Sequence, residues 1–243
     1  MLFTIITVCY NSENTIGKTL ASIDAQSFKD YEHIIIDGQS TDGTLEIIER
    51  LSNQNRIVIS EPDNGLYDAM NKGLSIAKGE YIFFLNSDDY LNNERVLEVV
   101  ARDVKISPAD ILLYSIEYFG DGMSRKWVLK DDKRYLYTPY FVPPHPGFII
   151  KNDFMKYLGL RFDLKYRICS DMKFMLESLR YSSNSVITSD FILTKMRSGG
   201  VSSKFLSRRL REFYLIYRDL GYSKIEVIVL IFKRYTIKLF QFI

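Results

Sequence analysis

Over the first hundred residues, short apolar runs alternate with stretches in which apolar side chains recur at helical spacing. The runs at residues 3–9, 33–36, 56–60 and 81–85 read as strands. The amphipathic stretches between them read as crossover helices, and that alternation predicts a mostly parallel sheet covered by helices on both faces. The first helix is expected after Asn11-Ser12, either of which could cap it, with Ile16, Leu20 and Ile23 turned to the sheet. A second is expected from about Ser40-Thr41-Asp42, burying Leu45, Ile48 and Leu51. A third runs from 66 to 77 and stops at Lys78-Gly79.

The second half is less regular. It reads as a strand at 110–118, a turn at Gly120-Asp121-Gly122, a strand at 125–129 and a loop carrying Pro139, Pro143, Pro144 and Pro146. A short strand at 148–150, a helix at 170–181, a strand at 185–193, a turn at 198–202 and two closing helices follow.

Ligands of open α/β sheets lie beyond the carboxyl ends of the strands. Here those ends carry Tyr10-Asn11, Asp37-Gly38, Glu61-Pro62-Asp63 and Asn86-Ser87-Asp88-Asp89, so four polar clusters are expected to share one crevice. Asp88 and Asp89 supply oxygen ligands of the kind Mg²⁺ or Mn²⁺ uses when it also holds substrate phosphates. A solvated turn capping a helix from about Asn93 is the alternative reading.

Composition narrows the class. With 243 residues, 47% hydrophobic and 26% charged, the chain can bury one sizeable core, and disorder is excluded. Cys9 and Cys169 are far apart, lack CxxC spacing and are expected as reduced, buried thiols. Two histidines, His33 and His145, cannot build a histidine-rich metal cage. The apolar start lacks a basic n-region and a cleavage site, so a cytoplasmic location is expected. From Lys204 onward nine Lys/Arg face three Asp/Glu, leaving the remainder of the chain net acidic. That asymmetry points to an anionic surface. Beyond residue 224 the longest uncharged run is 227–232, too short to span a bilayer. Ile225, Ile228, Val229, Phe232, Tyr235, Leu239, Phe240 and Ile243 nevertheless share one charge-free helix face. An interfacial helix and a face packed on the domain or on a second subunit are both open.

Six ordered blocks resemble glycosyltransferase family 2, and more narrowly its bacterial O-antigen, colanic-acid and capsule enzymes. They are Thr7-Val8-Cys9-Tyr10-Asn11, the run from Asp37 to Thr44, the run from Glu61 to Gly73, Phe84-Leu85-Asn86-Ser87-Asp88-Asp89, Arg167-Ile168-Cys169-Ser170-Asp171 and Gly199-Gly200-Val201-Ser202. The resemblance covers residues 3 to 203. It implies a GT-A fold, a Rossmann-like α/β domain at 1–203 with a nucleotide-sugar half (1–100) and an acceptor half (101–203). Residues 204–243 would be a basic amphipathic helical extension.

It further implies an inverting transfer from a nucleotide-diphosphate sugar, UDP favoured, to a polyprenyl-diphosphate-linked or other glycan at the inner membrane face. Peripheral membrane attachment is expected, nucleic acid is not, and a homodimer is open. Thr7, Tyr10, Asp37, Asp63, Asp68, Lys72 and Ser87 would bind the nucleotide, with Asp37 accepting the uracil N3 hydrogen. Asp88 and Asp89 would hold Mn²⁺ or Mg²⁺, although Asn86 replaces the first acid of the usual Asp-x-Asp. Asp171 would be the general base, and His145 and Arg167 would meet the acceptor or diphosphate. Read without the family, Asp37 and Asp171 could serve helix ends, Tyr10 the core, Lys72 a solvated face and His145 a structural contact. The rivals are a nucleotidylyltransferase, which would need a glycine-rich basic loop where Cys9-Tyr10-Asn11-Ser12-Glu13-Asn14 stands, and a noncatalytic nucleic-acid-binding protein.

Overall fold

The structure is a computed structural model describing residues 1–120, 122–129, 136–182, 185–199 and 205–240. Strands β1 (Phe3–Cys9), β2 (Tyr31–Asp37), β3 (Arg56–Ser60) and β4 (Tyr81–Phe84) run parallel in the order β3-β2-β1-β4. They are joined by α1 (Ile16–Asp24), α2 (Thr44–Arg50) and α3 (Leu66–Ile76). After the short β5 (Tyr90–Leu91) and α4 (Val96–Ile106) come β6 (Ile111–Gly120), β7 (Met123–Trp127) and β8 (Phe148–Lys151). Next are α5 (Asn152–Tyr157), α6 (Ser170–Tyr181), β9 (Val186–Arg197), α7 (Leu206–Asp219) and α8 (Lys224–Phe240). The sheet continues from β4 through β8, β6, β9 and β5, with β7 paired to β6. β8 is antiparallel to both neighbours, so β6 and β9 regain the direction of β1 to β4. The expected sheet is present, and the second half adds antiparallel pairs at β5, β7 and β8. The turn residue Asp121 and the segment 200–202 lie outside the described residues.

Alternation along each strand sorts the core onto two faces. Ile6 and Val8 of β1 join Met70 and Leu74 of α3 in the largest cluster, whereas Phe3 and Ile5 face Val96, Leu97 and Val100 of α4. A third cluster, Cys9, Ile16, Leu20, Ile35 and Ile48, fixes α1 and α2. The three apolar residues assigned to α1 are fully buried, whereas in α2 Ile48 is buried and Leu45 and Leu51 only partly so. The largest cluster also takes in Phe213, Ile216 and Tyr217 of α7 and Val227 and Leu230 of α8. The chain after residue 204 therefore shares a core with the acceptor half.

Helix starts differ from the sequence reading. Neither Asn11 nor Ser12 caps α1, whose first turn begins beyond Thr15 without a side-chain cap. α2 begins at Thr44 rather than near Ser40, and Asp42 accepts from the Thr44 N–H at 3.0 Å. Ser40 and Thr41 are withdrawn from the helix because they bind the tips of β1 and β2. The helix expected from about Asn93 begins at Val96, and neither Asp88 nor Asp89 caps it.

His33 is buried between Thr7 and Arg56. Its Nδ1 accepts from Arg56 Nε at 3.2 Å, so the hydrogen is on Nε2, which meets Thr7 Oγ1 at 2.9 Å. Burial, and then the Arg56 charge, hold its pKa well below the usual 6.5. A depressed folded-state pKa means that the unfolded chain binds the proton more readily. The stability contributed is full above pH 6.5 and is lost as the pH falls below it. In thermal unfolding, the Tm at pH 7.5 minus the Tm at pH 5.5 is expected to be smaller in His33→Asn than in wild type, because the variant lacks the group that must be protonated when the chain unfolds at low pH.

Candidate active site

The β1 and β2 tips interlock through the two described non-glycine residues with left-handed backbone, Asn11 (φ 49°) and Gln39 (φ 62°). Such conformations persist only where surrounding bonds over-determine them. Asn11 N–H donates to Ser40 Oγ at 2.8 Å, and Thr41 N–H donates to Asn11 Oδ1 at 2.9 Å. Beneath them lies Asp37, fully buried. Its Oδ2 accepts from Ser40 N–H (2.9 Å) and Ser60 Oγ (2.7 Å), and its Oδ1 from Ser40 Oγ (2.5 Å) and Cys9 Sγ (3.5 Å). All four acceptor positions of the carboxylate are occupied. These bonds make Asp37 tie the tips of β1, β2 and β3 together beneath the crevice.

The Thr7 side chain is likewise fully buried and bound to His33. What remains accessible at this end is Tyr10, 62% exposed, and Asp63. A Cβ on Gly38 would lie 2.5 Å from Asp63 Oδ2 and 3.5 Å from Tyr10 Cδ2. Glycine thus lets the β3 tip close over the β2 tip. Asp63 Oδ1 accepts from Gly65 N–H at 2.7 Å. Asp68 accepts from the Asn64 N–H at 2.9 Å, in the first turn of α3, and Lys72 binds Glu61 (2.8 Å) and the Pro62 carbonyl (2.6 Å). Both hold the 61–65 loop in shape.

The β4 tip approaches the same place. Ser87 Oγ is 2.9 Å from Ser12 Oγ, and Thr19 Oγ1 donates to the Asp89 carbonyl at 2.7 Å. Asp89 is only 1% exposed and accepts the Arg197 N–H from the end of β9 at 2.9 Å. Burial, and then the Asp88 charge, push its carboxyl up to about 8. Asp89 therefore braces the loop against the end of β9. Asp88 is half-buried, with burial raising its carboxyl, and the adjacent Asn86 Oδ1 is a buried acceptor without a partner. Among the described residues no cluster of three or more His, Cys, Asp and Glu could hold a metal. One carboxylate and one orphaned amide oxygen suit an ion such as Mg²⁺ that takes most of its ligands from phosphates and water.

Asp171 stands at the second position of α6, half-buried. Tyr67 Oη is 2.9 Å from its Oδ1 and 2.8 Å from the Ile168 carbonyl. Burial, and then Asp171, raise the Tyr67 phenol well above its usual range, so it stays a donor. Among the described residues no donor reaches Asp171 Oδ2. His145 stacks on Phe84, at the end of β4, with ring centroids 5.5 Å apart. Its Nε2 is buried without a partner, burial lowers its pKa and Asp171 opposes that shift. The imidazole therefore sits on the end of β4, within the electrostatic reach of Asp171. The Arg167 side chain is exposed, and its N–H is held by Glu212.

Sequence reasoning missed Tyr67, Glu212, Gly38 and Ser12. Tyr67 stands inside a quoted block, and Glu212 is a carboxylate on the buried face of α7 beside Phe213 and Ile216, so both left a signal.

This architecture and this constellation are those of a sugar-transferring GT-A domain. The sequence model described as glycosyl transferase family 2 matches residues 4–169, and the chain belongs to that family and is a glycosyltransferase. A PGL/p-HBAD biosynthesis glycosyltransferase of Mycobacterium tuberculosis is 26% identical over 94% of the chain and 90% of the relative. The poly(ribitol-phosphate) beta-N-acetylglucosaminyltransferase TarS of Staphylococcus aureus is 26% identical over 90% of the chain and 39% of the relative. The S. aureus TarS 1–349 structure in complex with UDP-GlcNAc shares the fold at a TM-score of 0.77 and 22% identity, covering 97% of this chain and 72% of that one. A Pyrobaculum calidifontis mannosyltransferase in complex with GDP-Man and Mn²⁺ does so at 0.69 and 16% identity, covering 96% and 69%.

Gly38→Ala tests the nucleotide end. The added methyl meets the mobile end of Asp63 rather than backbone, so stability should stay within about 0.5 kcal/mol. Displacing Asp63 should raise the nucleotide Kd several-fold, measured by titration calorimetry with UDP beside a thermal melt.

Proposed function

We propose that the chain transfers a sugar with inversion from a UDP-sugar to a lipid-linked or other glycan in bacterial cell-surface polysaccharide synthesis. The carrying observation is Asp171, with Oδ1 held by Tyr67 and Oδ2 left for an acceptor hydroxyl. In a single displacement the acceptor oxygen attacks the anomeric carbon from the face opposite the diphosphate. The bond to the diphosphate oxygen breaks with its electron pair, and the acceptor proton passes to Asp171 Oδ2. Tyr10 offers an aromatic face to the base and Asp63 Oδ2 a free acceptor for its imide hydrogen. Asp88 and the Asn86 amide oxygen are the residues that would hold Mn²⁺ or Mg²⁺, which when bound neutralises a diphosphate leaving group. The neutral His145, stacked on Phe84 at the end of β4, can orient the acceptor.

UDP-GlcNAc is the first donor to test because a relative's fold has been seen with it. Nucleotide release should be assayed across UDP-, dTDP- and GDP-sugars with Mn²⁺ and extracted lipid-linked acceptors. Asp171→Asn is expected to lower turnover by about 10²–10⁴ at unchanged UDP affinity. Chelation should remove most activity, restored by Mn²⁺. Near wild-type turnover in Asp171→Asn, or a clear preference for GDP-sugars, would refute the corresponding part.

The tail supports peripheral membrane attachment. No helix of the described residues is long and apolar enough to cross a membrane. α8 packs through Val227 and Leu230, while Ile225, Ile228 and Phe232 are 77%, 65% and 68% exposed. The charge-free stripe read from the sequence is thus not the packed face over this stretch. An apolar stripe beside Lys224 and Lys233 suits a lipid headgroup boundary. Changing Ile225, Ile228 and Phe232 together to Gln should leave the Tm unchanged and reduce sedimentation with anionic phospholipid vesicles. Unchanged vesicle binding, or a mass that halves on substitution, would point away from lipid.

A further inference from the structure

We infer that Glu212, on α7, is the positioning residue that sets Asp171, an inference that rests on reading Asp171 as the base. Glu212 is 5% exposed on the face that α7 turns to the core. A carboxylate there must be fully satisfied to be tolerated. Three consecutive backbone donors satisfy it: Arg167 N–H at 3.1 Å to Oε1, and Ile168 and Cys169 N–H at 2.9 and 3.0 Å to Oε2. Arg208 Nε adds a fourth at 3.2 Å.

Those three residues lead directly into α6. Its N-cap, Cys169, makes no side-chain cap bond, so a carboxylate 43 residues away fixes where the helix starts. Negative charge at that end also complements the helix dipole. The Ile168 peptide is gripped on both sides: its N–H donates to Glu212, and its carbonyl shares the single Tyr67 O–H hydrogen with Asp171 Oδ1. Glu212, Ile168, Tyr67 and Asp171 therefore form one connected path from α7 to the base. Arg208 lies one turn before Glu212, and its Nε contact orients the carboxylate. The α7 segment is, on this inference, part of the transfer machinery.

The test uses the full chain, UDP-GlcNAc, Mn²⁺ and a lipid-linked acceptor extract. Glu212→Ala is expected to lower kcat roughly 10- to 100-fold, the scale of a base displaced by about 1 Å. The KM for UDP-GlcNAc should stay within about threefold, because the donor end is held by other loops. Glu212→Gln keeps one acceptor oxygen and should fall between wild type and Glu212→Ala. It also serves as the informative variant if the alanine protein does not fold. In an Asp171→Asn background either change should cost nothing further, since the path ends at the base. Hydrogen exchange by mass spectrometry should show faster exchange at residues 167–172 in Glu212→Gln.

Wild-type kcat in folded Glu212→Ala, a KM rise matching the kcat loss, or full additivity with Asp171→Asn would each overturn the inference. A slow Asp171→Asn enzyme with an unaffected Glu212→Ala enzyme removes the inference alone. A fast Asp171→Asn enzyme removes the base reading and the inference with it.

Discussion

A carboxylate without water must find a donor for each lone pair, and Asp37 places that demand at the centre of the nucleotide half. Ser40, Ser60 and Cys9 meet it. In doing so they fix where three strands end and how their loops leave. Ser40 then accepts from Asn11, Asn11 accepts from Thr41, and both Asn11 and Gln39 are held in a backbone region that costs about 1–3 kcal/mol each. Those residues are unavailable to start helices, which is why α2 begins late. The carboxylate at the end of β2 builds the cleft, and the residues left open to a ligand, Tyr10 and Asp63, stand on the loops it positions.

The β4 end follows the same logic with a different outcome. Of the adjacent acids, Asp89 turns inward to the β9 backbone and Asp88 is left half-exposed. Two like charges so close could not both be buried and ionised, and the raised Asp89 carboxyl reflects that. The loop therefore presents one charge beside one unpartnered amide oxygen, a donor set suited to an ion that arrives with its own phosphate ligands.

The acceptor half repeats the device at longer range. Asp171 sits at the start of a helix that has no local cap, and its setting is supplied by Tyr67 from α3 and Glu212 from α7. Charge-assisted bonds contribute about 1.5–3 kcal/mol each, so three to a single carboxylate are enough to define the geometry of a short segment. α7 and α8 are accordingly continuous with the core, while Ile225, Ile228, Val229 and Phe232 of α8 remain exposed.

By itself the sequence determined the order of strands and helices, the two-faced sheet and the blocks that gather at one edge. These follow from local periodicity and from the rule that ligands meet strand ends, neither of which requires knowing a partner side chain. β1, β3 and α6 are legible almost to the residue for that reason. The division of labour among the acids was decided only in three dimensions. Asp37, Asp63, Asp88, Asp89 and Asp171 are alike as letters, and burial together with the donors that reach each one separates the structural from the available. Some of those donors are local, as Ser40 is to Asp37, but others come from more than a hundred positions away, such as Arg197 for Asp89 and Tyr67 for Asp171. No local pattern encodes such pairings, because the energy that fixes them is the desolvation of a folded interior.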